Sequence, residues 1–279
     1  MIKTLGLFRK KPGMTRDAFV DRYENPDYGH AQFAIKLCPW QEDYRRNFLC
    51  DEPPFTYAHL KGTPRRQEMD VVMMTTARDM AQAKQTADAL ADPVVGRKIA
   101  EDEEALFDRT KMTIVMVDEH RTSEEKLQAR PEGYAGEPSH KILSFARMRD
   151  PKAARSEFIR SHEAGLTKRV LDVLRREGYP IFARYARNYV NHDAFANQGH
   201  VSVVPPKADF DVMTEIWFWT EIDYQKFRSA CRDSDIGKAF VDQSGAVDPW
   251  SISMVLVDER VHTKRMLADA LAAHKRISA

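Results

Sequence analysis

Two histidines and one glutamate are the residues of this chain best suited to proton transfer. His30 lies in the stretch NPDYGHAQF, after a turn and before an expected helix, and His162 lies in SEFIRSHEAGL. Glu215 stands in the apolar stretch DVMTEIWFW. An imidazole takes or gives a proton near neutral pH, and a buried carboxyl has a raised pKa unless a cation pairs with it. These residue types predict general acid–base catalysis, with His30 as base or acid and Glu215 or His162 as its partner.

Further residues are suited to hold a small molecule, because they combine aromatic rings for stacking with polar groups for orientation. They lie near His30, in the loop after residue 50 and in two later segments: Tyr28, Tyr57, His59, Arg184, Tyr185, His192 and Trp217. Arg184 is suited to pair with a carboxylate. Each also has a structural interpretation, as a core ring, a helix-capping histidine or a solvent-facing strand residue, and both interpretations stay open.

Several known kinds of site are missing from the sequence. It has no phosphate-binding glycine loop and no CxxC, HExxH or GxSxG motif, and its histidines are too scattered to suggest a metal. We therefore predict chemistry without metal or cofactor. Haem remains open, because a single axial histidine leaves almost no trace in a sequence.

Composition excludes some classes of partner. The 279 residues have a formal net charge of +1, with basic residues dispersed among acidic ones, which argues against binding to nucleic acid or acidic membranes. Three cysteines without metal-ligand spacing fit a reducing compartment. No apolar run suggests a signal peptide or a membrane span, so we expect a cytoplasmic protein.

The chain spells nearly the same strand ending twice. IVMVDEH ends at His120, and MVLVDER ends at Arg260, 140 positions later. Shorter matches follow at offsets of one residue more or less, which small loop insertions produce. We interpret the chain as a tandem duplication, with repeats at 1–120 and 140–260, a linker rich in Pro and Gly at 121–139, and a C-terminal helix at 261–279.

Each copy follows the order strand, helix, strand, strand, helix, strand, which is the ferredoxin-like order βαββαβ. Helices cover one face of such a sheet, and the other face needs a partner. The predicted fold is therefore α+β, with two ferredoxin-like repeats packing sheet to sheet as an α/β barrel. A homodimer is a further expectation.

The chain resembles the EthD-like proteins of the dimeric α/β-barrel superfamily. Three segments carry the resemblance, together with the acidic strand ends: RDAFVDRYE…GHAQF from Arg16, YARNYVNH from Tyr185 and FDVMTEIWF from Phe210. His30 matches the position of the histidine in that family. The resemblance implies a small-molecule enzyme that works without metal on aromatic, polyketide or catabolic substrates, and it constrains the pocket better than the reaction.

We therefore predict a cofactor-independent lyase or isomerase. It would decarboxylate, dehydrate or isomerise a small aromatic or unsaturated acid by general acid–base catalysis. Two alternatives stay open: a cofactor-free monooxygenase of the same superfamily, in which oxygen attacks a substrate carbanion, and a non-catalytic protein that binds a small molecule.

Overall fold

Eight antiparallel strands form a closed barrel in the computed structural model, which describes residues 1–57, 60, 67–179, 182–195, 208–232, 245–262, 269 and 272. The strands are β1 (Ile2–Phe8), β2 (Asp43–Leu49), β3 (Val71–Ala77), β4 (Thr113–Arg121), β5 (His140–Ala146), β6 (Arg184–Phe195), β7 (Val212–Phe218) and β8 (Ser253–His262). Around the barrel they follow the order β1-β3-β2-β8-β5-β7-β6-β4. Each of these segments contains at least two valine, isoleucine or aromatic residues, which strands favour.

The barrel consists of two four-stranded halves with the same strand order. In the first half β4 pairs with β1, β1 with β3 and β3 with β2; in the second half β8, β5, β7 and β6 pair in that same order. The halves meet edge to edge, through β2 with β8 and β4 with β6. Instead of packing face to face as two separate sheets, the halves therefore continue each other and leave no open edge, which closure of a barrel achieves.

Seven α-helices lie in the described part of the chain. They are α1 (Arg16–Glu24), α2 (His30–Leu37), α3 (Met80–Ala91), α4 (Pro93–Leu106), α5 (Arg155–His162), α6 (Lys168–Arg176) and α7 (Glu221–Arg232), and a π-helical turn (Glu163–Thr167) joins α5 to α6. Three 3₁₀ turns complete the list, at Arg109–Lys111, Glu124–Lys126 and Pro249–Ser251. None of these helices is long and apolar enough to cross a membrane.

Each helical segment of the first half is split in two. The helix that starts at His30 was expected, whereas the division of the later segment into α3 and α4 was not predicted. Asp92 caps α4 by accepting hydrogen bonds from the backbone amides of Val94 and Val95, and Pro93 follows at the first helical position. Proline fits that position because it has no amide hydrogen to donate. Thr15 caps α1, as the sequence predicts, by accepting from the amide of Ala18.

Side chains that alternate along each strand face either the helices or the barrel interior. On β1, Thr4 and Phe8 face the helices, whereas Leu5 and Leu7 belong to an apolar cluster inside the barrel. That inner cluster draws on strands of both halves, including Phe145 of β5. Burying one such side chain contributes about 1.5–3 kcal/mol, so the interior holds the two halves together.

The segment between the halves is tied to the second half. Gln128 donates from its backbone amide to the carbonyl of Phe182, and its own carbonyl accepts from the Trp219 indole at 3.1 Å. Strand β8 runs to His262, past the boundary of 260 that the repeat suggested. Most of the expected C-terminal helix at 261–279 lies outside the described residues. The four segment boundaries stay a prediction.

Candidate active site

A tight turn between α1 and α2 positions His30. Asn25 ends α1, and its side-chain oxygen accepts from the backbone amides of Asp27 and Tyr28. Gly29 follows, and a Cβ there would lie 2.4 Å from the carbonyl oxygen of Asn25. Only glycine fits this close approach of backbone to backbone. The turn thus starts α2 at His30 and directs its ring toward the helices and the sheet.

His30 forms a hydrogen-bonded dyad with Asp102 of α4. The Nδ1 atom of His30 lies 2.6 Å from Oδ2 of Asp102, whose other oxygen binds the guanidinium of Arg22. Partial burial tends to raise the pKa of Asp102, but its hydrogen bond with His30 and the charge of Arg22 outweigh this and hold the pKa below its usual value. Because the carboxylate accepts only, Nδ1 carries the hydrogen, and in neutral imidazole Nε2 then has a lone pair.

The ring of His30 is clamped as well as hydrogen-bonded. Tyr23 and Phe107 contact it edge-on, with ring centroids 5.1 and 5.4 Å away. The side chain is only 8% exposed. A buried imidazole held on two sides and by a carboxylate has one orientation, which is what a catalytic base needs.

A cavity of about 320 Å³ lies between helices α2, α3 and α4 and the helix-facing side of β1, β2 and β3. His30 lines it, and the other lining residues are largely apolar or hydroxyl-bearing, among them Ile2, Thr4, Phe33, Leu37, Met73, Thr75, Ala83, Ala87, Leu90 and Ile99. Its volume falls within the range of ligand-binding pockets, about 300–1,000 Å³. One face of α3, with Ala83, Ala87 and Leu90, covers the cavity.

Two buried tyrosines also line the cavity. The hydroxyls of Tyr23 on α1 and Tyr44 on β2 are 3.3 Å apart. Burial raises the pKa of Tyr44 to about 12 and that of Tyr23 well above its ordinary value. Both therefore remain neutral hydrogen-bond donors at physiological pH.

The described residues at the corresponding position of the second half leave a much smaller space. A space of about 50 Å³ remains there, lined among the described residues by Phe182, Tyr185 and Phe227 from its own half and by Tyr57 from the first half. A ligand pocket needs several times that volume. His162, which we predicted as a catalytic residue, borders this small space.

His162 is held in a structural network. Its Nδ1 lies 2.7 Å from the hydroxyl of Tyr189, which itself donates to Glu163. Burial is the main cause that lowers the pKa of His162 to about 4; Glu163 opposes the shift and the charge of Arg187 adds to it. The neutral, buried imidazole of His162 therefore does not lie beside His30.

Glu215 lies inside the barrel and is separated from His30 by the barrel wall. Its carboxylate binds Lys3 at 2.6 Å and Lys141 at 2.7 Å and accepts from the Asn188 amide at 2.9 Å. Burial alone raises the pKa of this carboxyl, but the two ammonium groups hold it far below its usual range. The alternative of a raised pKa is thus wrong, and Glu215 stays ionised instead of donating a proton.

The remaining predicted residues are dispersed. Arg184 is partly exposed and binds Glu137, and His192 lies 2.9 Å from Asp211. Tyr28 is 57% exposed. Trp217 donates a hydrogen bond to Glu259 at the charged end of the barrel interior. Tyr57 and Tyr185 line the small space of the second half. His59 lies outside the described residues. The described members of this set do not line the large cavity.

Sequence reasoning missed the groups that surround His30. Asp102 is one of four consecutive acidic residues on α4, at 101–104, and no local signal separates it from the others. Tyr23 follows Phe19 at helical spacing, which predicts a buried face but no function. Nothing in the stretch DYRRNFL around Tyr44 indicates a function. Among the described residues, no group of three or more His, Cys, Asp or Glu is arranged to hold a metal ion.

Comparison with known proteins gives a match to one family model. Residues 11–110 match the family model of the EthD domain. The match covers 100 of the 279 residues. The matched part contains His30, Asp102 and both cavity tyrosines, and the predicted resemblance to EthD-like proteins is confirmed for these residues. No curated protein sequence matches the chain.

Solved structures share the architecture at low sequence identity. An anthrone oxidase-like protein is 10% identical, with 93% of this chain and 92% of that chain covered and a TM-score of 0.51. A chlorite dismutase from Candidatus Nitrospira defluvii in complex with imidazole is 11% identical, with 96% and 94% covered and a TM-score of 0.41. At such identities the first likeness shows the fold alone.

Proposed function

We propose that the chain is an enzyme that moves a proton on a small aromatic or unsaturated molecule bound in the cavity of the EthD domain. The observation that carries the proposal is the His30–Asp102 dyad, because it presents an oriented imidazole to an enclosed cavity. His30 accepts the proton at Nε2, and Asp102 stabilises the imidazolium that results. No second titratable partner is needed for this step.

The cavity lining supports an aromatic or unsaturated skeleton more than a free acid. Arginine does not occur among the lining residues that the structure describes, and the lysine among them, Lys84, pairs with Asp88 on the same helix. A carboxylate would therefore lack a strong partner in the cavity. The predicted binding of an acid through Arg184 is without support, since Arg184 lies elsewhere and pairs with Glu137.

Proton removal is the step shared by isomerisation, dehydration and cofactor-free oxygenation. Isomerisation returns the proton to another atom, dehydration expels hydroxide, and a cofactor-free monooxygenase lets oxygen attack the carbanion. Decarboxylation instead breaks a C–C bond and needs the protonated imidazole to supply the proton to the product. We favour isomerisation or dehydration, because both need only an acid–base group and an apolar cavity.

Turnover by the wild type and a His30→Ala variant tests the proposal. Aromatic ketones and phenols are screened with and without oxygen by mass spectrometry, after an ultraviolet–visible spectrum of the purified protein. Loss of His30 is expected to lower the rate by about 10²–10⁴, the usual contribution of a positioned base. His140→Ala, on β5 and away from the cavity lining, is the matched control.

The outcomes separate the candidate functions. Loss of water, or an unchanged mass with a new spectrum, supports the lyase or isomerase, whereas turnover that requires oxygen supports the monooxygenase. A rate that His30→Ala lowers less than threefold contradicts the role of His30. Binding without turnover in any condition supports a binding protein instead.

We also propose that the halves are duplicated ferredoxin-like units. Their common strand order supports this, and so do equivalent ion pairs: Arg46 of β2 binds Glu24, and Arg187 of β6 binds Glu163. A homodimer stays a prediction. The barrel closes within one chain, so two chains would have to pair through another surface, and light scattering would measure this.

A further inference from the structure

The pair of tyrosine hydroxyls in the cavity has one hydrogen more than it uses. Two hydroxyls carry two hydrogens, and the Tyr23–Tyr44 contact uses one of them. Among the described residues, neither hydroxyl has another hydrogen-bond partner. Both side chains are almost completely buried and both line the cavity. The pair therefore has one hydrogen to donate to an oxygen atom of a molecule inside the cavity.

A cation lies behind the pair. The guanidinium of Arg46 is 4.8 Å from the centre of the Tyr44 ring and is almost completely buried. It also binds Glu24 and His262, so part of its charge is neutralised. A buried cation beside a phenol, and a second phenol donating to the first, both strengthen donation to an anionic oxygen.

The pair and the base face the same space. The ring of Tyr23 contacts the ring of His30 at 5.1 Å, and both residues line the cavity. A substrate of a few carbon atoms can thus reach Nε2 with one atom and the hydroxyl pair with another. Enzymes that form enolates need this arrangement of a base and an oxygen-binding donor.

We propose that the Tyr23–Tyr44 pair binds a substrate oxygen that becomes negatively charged, and that the substrate is therefore an enolisable aromatic ketone or a related phenol. This inference rests on the proposed function. Nε2 of His30 takes the proton from the carbon beside the carbonyl. The electrons of that C–H bond form a C=C bond, and the C=O π electrons move to the oxygen, which accepts the hydrogen bond. Transfer of the proton from the imidazolium to a different atom of the substrate completes an isomerisation.

The second half lacks this arrangement. Tyr185 occupies the position of Tyr44, 141 residues later, and Arg187 lies over its ring at 4.9 Å. His162 stands where the first half has Tyr23, 139 residues earlier, and it binds Tyr189 instead of Tyr185. The Tyr23–Tyr44 pair thus has no equivalent at these two positions of the second half.

Binding of 2-naphthol tests the inference without turnover. Its neutral and ionised forms differ in absorbance, so the spectrum of the bound molecule reports the charge on its oxygen. We expect Tyr23→Phe or Tyr44→Phe to lower the ionisation constant of bound 2-naphthol by about 10- to 100-fold, the contribution of a hydrogen bond to a charged group. Tyr134→Phe, which removes a hydroxyl bound to the carbonyl of Glu137, is the matched control and should change nothing.

The same measurements in a His30→Ala background separate the two proposals, because no imidazole can then accept the naphthol proton. A drop on Tyr23→Phe or Tyr44→Phe in this background supports the inference, and either folded variant suffices, since each breaks the pair. Equal ionisation in wild type and both variants, or no binding of 2-naphthol, overturns it. Turnover that survives His30→Ala contradicts the proposed function instead, whatever the naphthol result.

Discussion

At the scale of single residues, the chemistry of the site depends on which nitrogen of His30 carries the hydrogen. The carboxylate of Asp102 accepts from Nδ1, so in the neutral imidazole the lone pair lies on Nε2. Arg22 supports this state, because its charge helps to keep Asp102 ionised. The proposed base is therefore the dyad together with the arginine, and not the histidine alone.

Asp102→Asn should lower turnover nearly as much as His30→Ala, by about 10²–10⁴. The amide that replaces the carboxylate can donate to Nδ1, which moves the imidazole hydrogen to Nε2 and removes the lone pair from the cavity. Steady-state kinetics should show the loss in kcat, with little change in the melting temperature.

Glu104→Gln is the matched control for Asp102→Asn, since Glu104 lies on the same helix and its side chain is 64% exposed. If Glu104→Gln lowers kcat as much as Asp102→Asn does, the loss reflects a general effect on α4, and the tautomer argument fails.

At the scale of elements, the repeated strand ending is explained by the barrel interior. Glu119 at the end of β4 binds Lys3 of β1 at 2.5 Å, and Glu259 at the end of β8 binds Lys141 of β5 at 2.6 Å. Glu215 bridges the two lysines. Each acidic ending thus neutralises a lysine on the adjacent strand, and this network fixes how the strands meet.

Glu215→Gln should destabilise the protein by about 3–5 kcal/mol, because it leaves two buried ammonium groups without their shared carboxylate. Urea unfolding followed by circular dichroism measures the change. Asp118→Asn is the control, since that carboxylate pairs with Arg155 at the surface and is 56% exposed. Loss of this surface pair should lower the free energy of unfolding by at most about 1 kcal/mol. Equal effects of the two variants would show that the buried network adds nothing to the stability.

At the scale of the whole molecule, the free energy of unfolding should depend on pH because of two buried histidines. Burial, with help from a nearby arginine, lowers the pKa of His162 and of His262 to about 4 each. In the unfolded chain a histidine has a pKa of about 6.5. Between these values the unfolded state binds more protons than the folded state. The free energy of unfolding therefore falls as the pH falls from about 6.5 to about 4.

His162→Gln should reduce the loss of stability on acidification, because glutamine does not bind a proton in this pH range. We expect urea unfolding at about pH 7 and about pH 4.5 to show a smaller difference for this variant than for wild type. His140→Gln, at the partly exposed start of β5, should retain the full difference. A His162→Gln variant that loses as much stability on acidification as wild type would rule out this histidine as the source.

Much of the fold could be predicted from the sequence, because strand alternation, helical spacing and caps act between residues close in the chain. The strands ending in Asp118-Glu119 and Asp258-Glu259, the cap at Thr15 and the start of a helix near His30 all follow from such signals. An eight-stranded antiparallel barrel in an α+β protein agrees with the predicted fold class.

Only the tertiary structure decided which charges meet and which half stays open. Glu215 finds its cations 212 and 74 residues away in sequence, and closure of the barrel, which no local pattern encodes, brings them together. Asp102 reaches His30 across 72 residues because α4 packs against α2. The duplicated sequence predicts two similar halves, whereas the bulk of the packed side chains leaves a large cavity in the first half and a small one in the second.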